Sequence, residues 1–291
     1  MKKLTAQQLR QYQEDGAVHP LRAIPVQRAQ RYLALLEEGE ARYGAAFRKT
    51  LRTKAHLSLK WVDELVHDPG ILDAVEDVIG PDILLYNMSV WIKDALDPNF
   101  VGWHQDSTYF PLEPAVQVAA WVALTDSVAE NGNVKYLRGS HLLGQLKHGK
   151  GEAGSLLSQG QYVETPPDCQ IVDIFLEPGQ MSLHHTRLVH FSEPNHSSRR
   201  RIGIAVSYIP TSVVCTCTVR HTAMLVRGTD RYGHFDPEPR VRFDFDPEVE
   251  AFKQDAVARF WQAAAEQAQV HARMLGKGPG GRPRSDGSLQ Q

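Results

Sequence analysis

The short sequence Gly-Trp-His-Gln-Asp at residues 102–106 constrains the fold most, because it places two metal-binding side chains two positions apart. Residues i and i+2 of a β-strand point to the same face, so His104 and Asp106 can reach one ion from one extended segment. His190, much later in the chain, is too distant for a local metal loop but suits a strand that returns across a barrel. Two histidines and one carboxylate hold iron(II) and leave coordination positions open. The pattern therefore predicts a jelly-roll barrel around an iron site.

Composition limits the class of protein and its partners. A chain of 291 residues, 42% of them hydrophobic, can bury one sizeable core, and all-β barrels of this length often form a single domain. The net charge of −2 provides no positive field for nucleic acid, so we expect a small-molecule substrate. No apolar run is long enough for a signal peptide or a membrane span, which predicts a cytoplasmic protein without membrane contact. The sequence does not indicate the oligomeric state.

Cap and breaker residues predict helices at both ends of the chain. Three helical regions are predicted before residue 81, over residues 5–16, 25–44 and 61–80, the last interrupted at Pro69. Asp246 is in position to cap a final helix over 247–275, and the polar residues 276–291 are predicted to be disordered. We expect one domain, residues 1–275, in which a helical region over residues 1–80 precedes a barrel core over 82–245 and the final helix.

Alternating side chains predict the strands between these helices. In residues 83–93 one predicted face carries Leu84, Tyr86, Met88, Val90 and Ile92, and the other carries Leu85, Asn87, Ser89, Trp91 and Lys93. Further strands are predicted over residues 115–125, 134–137, 171–176, 180–185, 188–192 and 200–208. The Asn131-Gly132 pair predicts a tight hairpin turn before 134–137. Residues 142–170, rich in Gly, Ser, Gln and Pro, predict a long surface loop of the kind that forms lids.

The strand at residues 200–208 indicates which arginine faces the interior. Its bulky side chains, Ile202, Ile204, Val206 and Tyr208, alternate with Arg201, Gly203, Ala205 and Ser207. A pocket wall needs small side chains beside a long one that reaches inward, so Arg201 is the candidate for the interior and Arg200 is not. A guanidinium group binds a carboxylate through two parallel hydrogen bonds. Arg201 is therefore predicted to bind a carboxylate inside the barrel.

Together these segments resemble the phytanoyl-CoA dioxygenase-like branch of the iron(II)/2-oxoglutarate oxygenases. The resemblance covers roughly residues 82–210 and rests on Trp103-His104-Gln105-Asp106, Ala120-Trp121-Val122-Ala123-Leu124, Glu130-Asn131-Gly132, Gly139-Ser140-His141, and the run from His190 through Ser192, Asn195 and Ser197 to Arg201. It implies a mainly β fold with flanking helices, a cupin-like double-stranded β-helix. It also implies that iron(II) is bound by His104, Asp106 and His190, and 2-oxoglutarate by Arg201, Ser192, Asn87 and Trp121.

The resemblance further implies an enzyme that consumes O2 and 2-oxoglutarate, releases succinate and CO2, and hydroxylates or otherwise oxidises an unactivated C–H bond of a small organic substrate. Asp106 is the carboxylate that chlorinating relatives lack, which favours a hydroxylase or a related oxidase. Lys93 and Tyr109 are candidate substrate contacts. Two alternatives remain. One is a non-catalytic cupin-like module that binds a metal or a small molecule, and the other is a zinc hydrolase, which gives no role to Arg201.

The remaining histidines and cysteines are interpreted as structural. His184 and His185 precede the distal strand, and neither has the family spacing to the arginine. Cys169, Cys215 and Cys217 form no CxxC pair and no disulfide framework, so we expect reduced thiols that serve in packing. Cys215 and Cys217 would share one strand face, but a second metal site there would need partners that the sequence does not indicate.

Overall fold

The chain folds into two β-sheets with helices packed against one of them. The computed structural model describes residues 1–150, 154–157, 161–163 and 168–276. The helices are α1 (Ala6–Asp15), α2 (Val26–Tyr43), α3 (Ala45–Thr50), α4 (Lys60–Val66), α5 (Pro69–Ile79) and α6 (Pro247–Gly276). The strands are β1 (Ala17–Arg22), β2 (Ile83–Lys93), β3 (Val101–His104), β4 (Leu112–Glu113), β5 (Val118–Ala123), β6 (Val134–Leu137), β7 (His148–Lys150), β8 (Gln161–Val163), β9 (Ile171–Ile174), β10 (Gln180–His185), β11 (His190–Ser192), β12 (Arg201–Pro210), β13 (Val214–Cys215), β14 (Thr222–Arg227) and β15 (Asp236–Pro237).

The two main sheets have seven and four strands. The large sheet has the order β1-β10-β5-β12-β2-β14-β15, and the small sheet has the order β3-β11-β6-β9. A buried cluster joins them, because Trp121 and Ala123 of β5 pack with Val134 and Tyr136 of β6 and with Ile174 of β9. Two packed sheets with mostly antiparallel pairing form the predicted jelly roll.

The helices cover the outer face of the large sheet. Alternate residues of β5 and β12 enter the largest core cluster together with residues from α2, α4 and α5, among them Val118, Ala120, Val122, Ile202, Ile204, Val206, Leu36, Leu65 and Ile71. Burial of each aliphatic side chain of this size contributes about 1.5–3 kcal/mol. Because one face is closed by helices, the alternate residues of the same strands line the space between the sheets.

Local signals in the first eighty residues predict α1, α2, α4 and α5 but neither the short helix α3 nor β1. The capping box at Thr5 and Gln8 begins α1, and Gly16, in a left-handed conformation, ends it. Residues 17–22 were not predicted as a strand, yet β1 forms one edge of the large sheet by pairing with β10. This short segment contains Pro20, and its backbone partner comes from a distant region of the chain. Among the described residues, no helix is both long and apolar enough to cross a membrane.

A bulge in β2 changes the predicted faces of that strand. Register with β12 shifts between Ser207 and Tyr208, which leaves Tyr86 as an extra residue in β2. A bulge reverses the alternation of side chains beyond it. Leu84 and Tyr86 consequently pack in a different core cluster from Met88. The prediction that these three side chains share a face is wrong.

The Asn131-Gly132 turn connects two sheets and does not form the predicted hairpin. Residues 134–137 form the predicted strand, but β6 pairs with β9 and β11, whereas β5 pairs with β10 and β12. Gly132 has a φ of 74° and lies so close to residue 193 that a Cβ would meet the Glu193 carbonyl oxygen at 2.2 Å. A larger residue there would clash, so glycine lets the chain pass tightly into the second sheet.

The segment predicted as a long loop is partly structured. A 3-10 turn at Ser140–Leu143 is followed by the antiparallel pair β7 and β8. Residues 151–153, 158–160 and 164–167 lie outside the described residues, as do residues 277–291, most of the tail predicted to be disordered. The lid role of residues 142–170 stays a prediction.

A buried ionic cluster connects the segment after α3 to β15. Lys54, with a left-handed φ of 50°, donates through Nζ to Oε1 of Glu238, and His56 Nε2 lies 2.7 Å from Glu238 Oε2. Thr222 Oγ1 also donates to Glu238 Oε1. Burial would raise the pKa of Glu238, but the lysine and the histidine outweigh it and lower this pKa to about 2. The carboxylate is therefore charged and paired inside the fold.

We expect Glu238→Gln to lower the free energy of unfolding at pH 7 by about 3 kcal/mol, because it leaves Lys54 buried without its charged partner. A depressed pKa stabilises the folded state above the ordinary value of 4.5, and this contribution is lost as the pH falls toward 2. Urea unfolding of both proteins at pH 7 and pH 3 measures the effect. The difference should shrink at the lower pH, and an equal difference at both values would contradict this account.

Candidate active site

The structure brings the three predicted metal ligands together at the small sheet. His104 ends β3 and is the cross-strand partner of His190 in β11, while Asp106 lies in the 3-10 turn that follows β3. His104 Nε2 lies 3.6 Å and His190 Nε2 3.8 Å from Asp106 Oδ1. The three ligand atoms are all within 4.8 Å of one another. This spacing suits three ligands around one ion.

Backbone carbonyls orient both imidazole rings. His104 Nδ1 is 2.8 Å from the Gly102 carbonyl oxygen, and His190 Nδ1 is 2.9 Å from that of Leu188. A ring nitrogen that donates to a carbonyl carries the proton, which leaves Nε2 with its lone pair free. Metal-binding histidines are commonly fixed in this way by their second nitrogen. The geometry therefore presents two lone pairs to the same point.

The buried environment shifts the pKa values of His190 and Asp106. Burial, followed by the neighbouring His104, lowers the pKa of His190 to about 3, so this imidazole is neutral at pH 7. Burial would raise the pKa of Asp106, but His190, His104 and His184 outweigh it and hold this pKa well below its ordinary value. Neutral imidazole and ionised carboxylate are the forms that bind a divalent metal.

Arg201 is buried beside this cluster without a carboxylate partner among the described residues. Its side chain is 2% exposed, and its Nη2 donates to Ser192 Oγ at 3.3 Å. The guanidinium carbon lies 5.1 Å from the centre of the Trp121 ring. Within the same described ranges, Nε and Nη1 have no hydrogen-bond partner. Burial lowers the pKa of Arg201 to about 10, so the group stays charged at pH 7, and a buried cation with two free donor groups is suited to an anionic ligand.

One narrow cavity joins the arginine to the histidines. It is lined by Trp91, Val101, His104, Asp106, Trp121, Val134, His184, His190, Phe191, Ser192, Arg201 and Ala205. Gly203, on the same strand as the arginine, is in close contact with Trp121, because a Cβ there would lie 2.2 Å from a ring carbon. The alternation predicted for residues 200–208, with Arg201 facing inward, thus agrees with the structure. The predicted residues Arg201, Ser192 and Trp121 all line this cavity.

Lys93, a predicted substrate contact, lies on the arginine side of the site. It is the cross-strand partner of Arg201 and is 1% exposed. Its Nζ donates to Ser192 Oγ at 2.7 Å and to the Ser192 carbonyl oxygen at 3.2 Å. Burial, followed by the neighbouring arginine, lowers the pKa of Lys93 to about 7. Two basic groups therefore converge on one serine hydroxyl.

A larger cavity of about 770 Å³ opens on the other side of the ligand cluster. His104 and Asp106 lie on its wall, together with the predicted residues Asn87 and Tyr109. The Tyr109 ring meets His104 edge-on, with ring centres 6.0 Å apart. Asn87 Oδ1 and the Tyr109 hydroxyl are buried and have no hydrogen-bond partner among the described residues. The opposite wall comes from α6, through Glu250, Lys253, Gln254, Val257, Phe260, Trp261 and Ala264.

Two features of the site were missed from the sequence. His184, interpreted as structural, has Nε2 3.7 Å from Asp106 Oδ2 and its ring centre 4.8 Å from that of His190. Alternation in β10 could have shown this, because Met181 and Leu183 enter the helix-facing core and His184 must therefore face inward. The wall formed by α6 has no comparable signal, since a helical pattern does not reveal which sheet the helix will contact.

A jelly roll in which two histidines and a carboxylate meet beside a cavity defines the class of cupin-like non-heme iron oxygenases. The sequence profile of the family described as Phytanoyl-CoA dioxygenase (PhyH) matches residues 4–203. The chain belongs to this family, as predicted. Iron, 2-oxoglutarate and O2, the predicted cofactors, are those of the 2-oxoglutarate-dependent oxygenases that resemble it.

Individual relatives extend this result. The solved structure "non-heme monooxygenase; ThoJ apo" is 34% identical with a TM-score of 0.81, and the match covers 90% of this chain and 99% of that chain. A probable alpha-ketoglutarate-dependent hypophosphite dioxygenase of Stutzerimonas stutzeri is 28% identical over 156 residues, 53% of this chain and 54% of that protein. The chain thus spans about half the length of this curated relative.

A more distant structure supports the fold. The epimerase SnoN, in complex with Fe3+, alpha ketoglutarate and nogalamycin RO, has a TM-score of 0.64 at 22% identity, and the match covers 81% of this chain and 96% of that chain. The predicted fold class, a mainly β jelly roll with flanking helices, is confirmed by these similarities and by the two sheets.

Proposed function

We propose that this protein is an Fe(II)/2-oxoglutarate-dependent dioxygenase whose iron is held by His104, Asp106 and His190. The observation that carries the proposal is the convergence of two fixed Nε2 atoms and Asp106 Oδ1 within 4.8 Å, in a cavity that Arg201, which has no acidic partner among the described residues, also lines. Bound iron would supply the positions at which 2-oxoglutarate and O2 react. Three protein ligands would leave the remaining coordination positions of that ion open.

Arg201 is proposed to bind the carboxylate of 2-oxoglutarate that lies far from the metal. Its Nε and Nη1 have no partner among the described residues and leave N–H donors for this carboxylate, and the Trp121 ring packs against the guanidinium group. Ser192 and Lys93 add a hydroxyl and a second basic group on the same side. Lys93 is therefore assigned to cosubstrate binding and not to substrate contact. Asn87, on the wall shared with His104, is assigned to the boundary between cosubstrate and substrate.

The proposed reaction is hydroxylation of an unactivated C–H bond in a small organic molecule, with release of succinate and CO2. Asp106 fills the position that a halide would need, which disfavours chlorination. The cavity of about 770 Å³ has the size of a drug-like ligand site, and Tyr109 lies on its wall beside His104. Aromatic and aliphatic side chains of Trp91, Phe110, Val257 and Trp261 give this wall an apolar character suited to an organic substrate.

An anaerobic titration tests this function. Purified protein should bind one equivalent of iron(II), and addition of 2-oxoglutarate should then produce a metal-to-ligand charge-transfer absorption band. Admission of O2 should release succinate. Binding of 2-oxoglutarate without any succinate, with or without candidate substrates, would favour a non-catalytic cupin-like module. An iron-loaded protein that gives neither the band nor succinate would refute the proposal.

His184→Ala is expected to weaken iron(II) binding by about tenfold, because the distal oxygen of Asp106 loses the imidazole beside it. Competition against a chelator measures the affinity. The matched control is His185→Ala, since the adjacent His185 ring contacts His141, with ring centres 5.4 Å apart. We expect the control to bind iron like the wild type. Equal affinities for wild type and His184→Ala would show that His184 does not support the carboxylate.

A further inference from the structure

A second cluster of metal-binding side chains lies between β13 and β14, outside the site described above. Cys215, Cys217 and His221 each offer one ligand atom, and these atoms all lie within 4.8 Å of one another. The two sulfur atoms are 2.6 Å apart. Within the described ranges, the only other group of this kind is the proposed iron site. We propose that this cluster binds a thiophilic metal ion of the zinc type.

The state of His221 supports this assignment. The side chain is buried, and Nδ1 lies 2.7 Å from the Tyr86 hydroxyl. Nε2 is also buried and has no hydrogen-bond partner among the described residues. A neutral imidazole with one nitrogen held by a hydrogen bond leaves the other available as a ligand.

The two thiols lie close together because they are only two positions apart in the chain. Cys215 ends β13, which pairs with β4, and Cys217 follows two positions later, so both sulfur atoms come from one short segment. A metal ion would bind both sulfur atoms as thiolates and release their protons. Two thiolates and one imidazole form a ligand set that zinc accepts, with water as a fourth ligand.

A neighbouring acidic group is already engaged. Glu266 of α6 accepts hydrogen bonds from the backbone N–H and the hydroxyl of Thr218, at 2.9 and 2.5 Å. This contact holds the loop that carries the cysteines against α6. The Glu266 carboxylate thus holds the loop against α6. The three proposed ligands lie close to one another.

The position of the cluster indicates a structural role next to the substrate cavity. The Tyr86 ring, whose hydroxyl contacts His221, packs edge-on against Phe110 and lies 6.1 Å from the ring centre of Phe260. Both phenylalanines line the cavity of about 770 Å³. A metal ion would therefore fix the segment between β12 and β14 behind this wall. The proposal concerns a different ion from the iron and does not depend on oxygenase activity.

Metal analysis tests the site. The iron site also accepts zinc, so reduced wild-type protein dialysed against Zn2+ should retain two equivalents. The double variant Cys215→Ser/Cys217→Ser should retain one equivalent of zinc. The single variant His104→Ala should also retain one equivalent. With Co2+, a thiolate-to-cobalt charge-transfer band should appear in the wild type and in His104→Ala and be absent from the double variant. A wild type without this band overturns the proposal.

Alkylation of the wild type provides a test that needs no variant. Added Zn2+ should slow the modification of Cys215 and Cys217 by iodoacetamide at least tenfold, whereas Cys169, which belongs to no such cluster among the described residues, should react at the same rate with and without the ion. Equal protection of all three cysteines, or of none, contradicts a local site. A disulfide between Cys215 and Cys217 that re-forms after reduction in the presence of Zn2+ also overturns it.

Discussion

His104→Ala is expected to lower 2-oxoglutarate-dependent succinate release by more than about 1,000-fold, or roughly 4 kcal/mol in transition-state stabilisation. The substitution removes one of three ligands, and the adjacent His184 lies at the other carboxylate oxygen of Asp106. Iron(II) affinity should fall together with activity. Succinate release measured at saturating iron(II) separates loss of binding from loss of chemistry.

The control for this variant is His196→Ala. His196 is exposed and lies six residues after His190, so its loss removes an imidazole from the same region without touching the cluster. Circular dichroism and thermal unfolding should show that both variants fold. Succinate release by folded His104→Ala at the wild-type rate would show that these residues do not hold the catalytic metal.

Arg201→Leu is expected to raise the 2-oxoglutarate concentration needed for half-maximal activity by about 100- to 1,000-fold, because a buried, charge-assisted pair with the carboxylate is lost. The variant should fold, since leucine replaces a buried cation that has no acidic partner among the described residues. The melting temperature without ligand should therefore stay equal or rise, while the stabilisation by added 2-oxoglutarate should disappear.

Arg200→Leu is the matched control, because the neighbouring side chain points to the opposite face. Arg200 donates to Asp94 Oδ1 at 2.9 Å and to Glu40 Oε1 at 2.8 Å, outside the barrel. We expect this variant to keep the wild-type response to 2-oxoglutarate and to lose some stability. A similar loss of 2-oxoglutarate response in both variants would indicate a general disturbance of β12 and would contradict a specific carboxylate site.

The sequence predicted the features of the site that depend on local alternation. Arg201 was predicted to face the barrel interior because small and bulky side chains alternate around it. This alternation between the two faces holds as long as the strand stays regular. The faces predicted for β2 were wrong, because the bulge at Tyr86 reverses the alternation of side chains beyond it. A bulge depends on the partner strand, so the sequence of β2 alone carries no sign of it.

Long-range pairing accounts for the other differences. β1 was missed because its hydrogen bonds go to β10, and the hairpin at Asn131-Gly132 was wrong because β6 pairs with β9 and β11. Lys93 was placed on the correct strand, but its closeness to Arg201 and Ser192 became visible only when β2, β11 and β12 were brought together. His184 could have been found, since the regular alternation of β10 already turned it inward.

The wall contributed by α6 lies beyond residue 203, where the match to the family profile ends. The residues proposed to hold iron and 2-oxoglutarate all fall within the matched region, whereas much of the surface that a substrate would touch does not. Substitutions in α6 can therefore alter the molecule that is accepted while the reactive centre stays intact. Chimeras that swap α6 between homologues offer a direct route to new specificities.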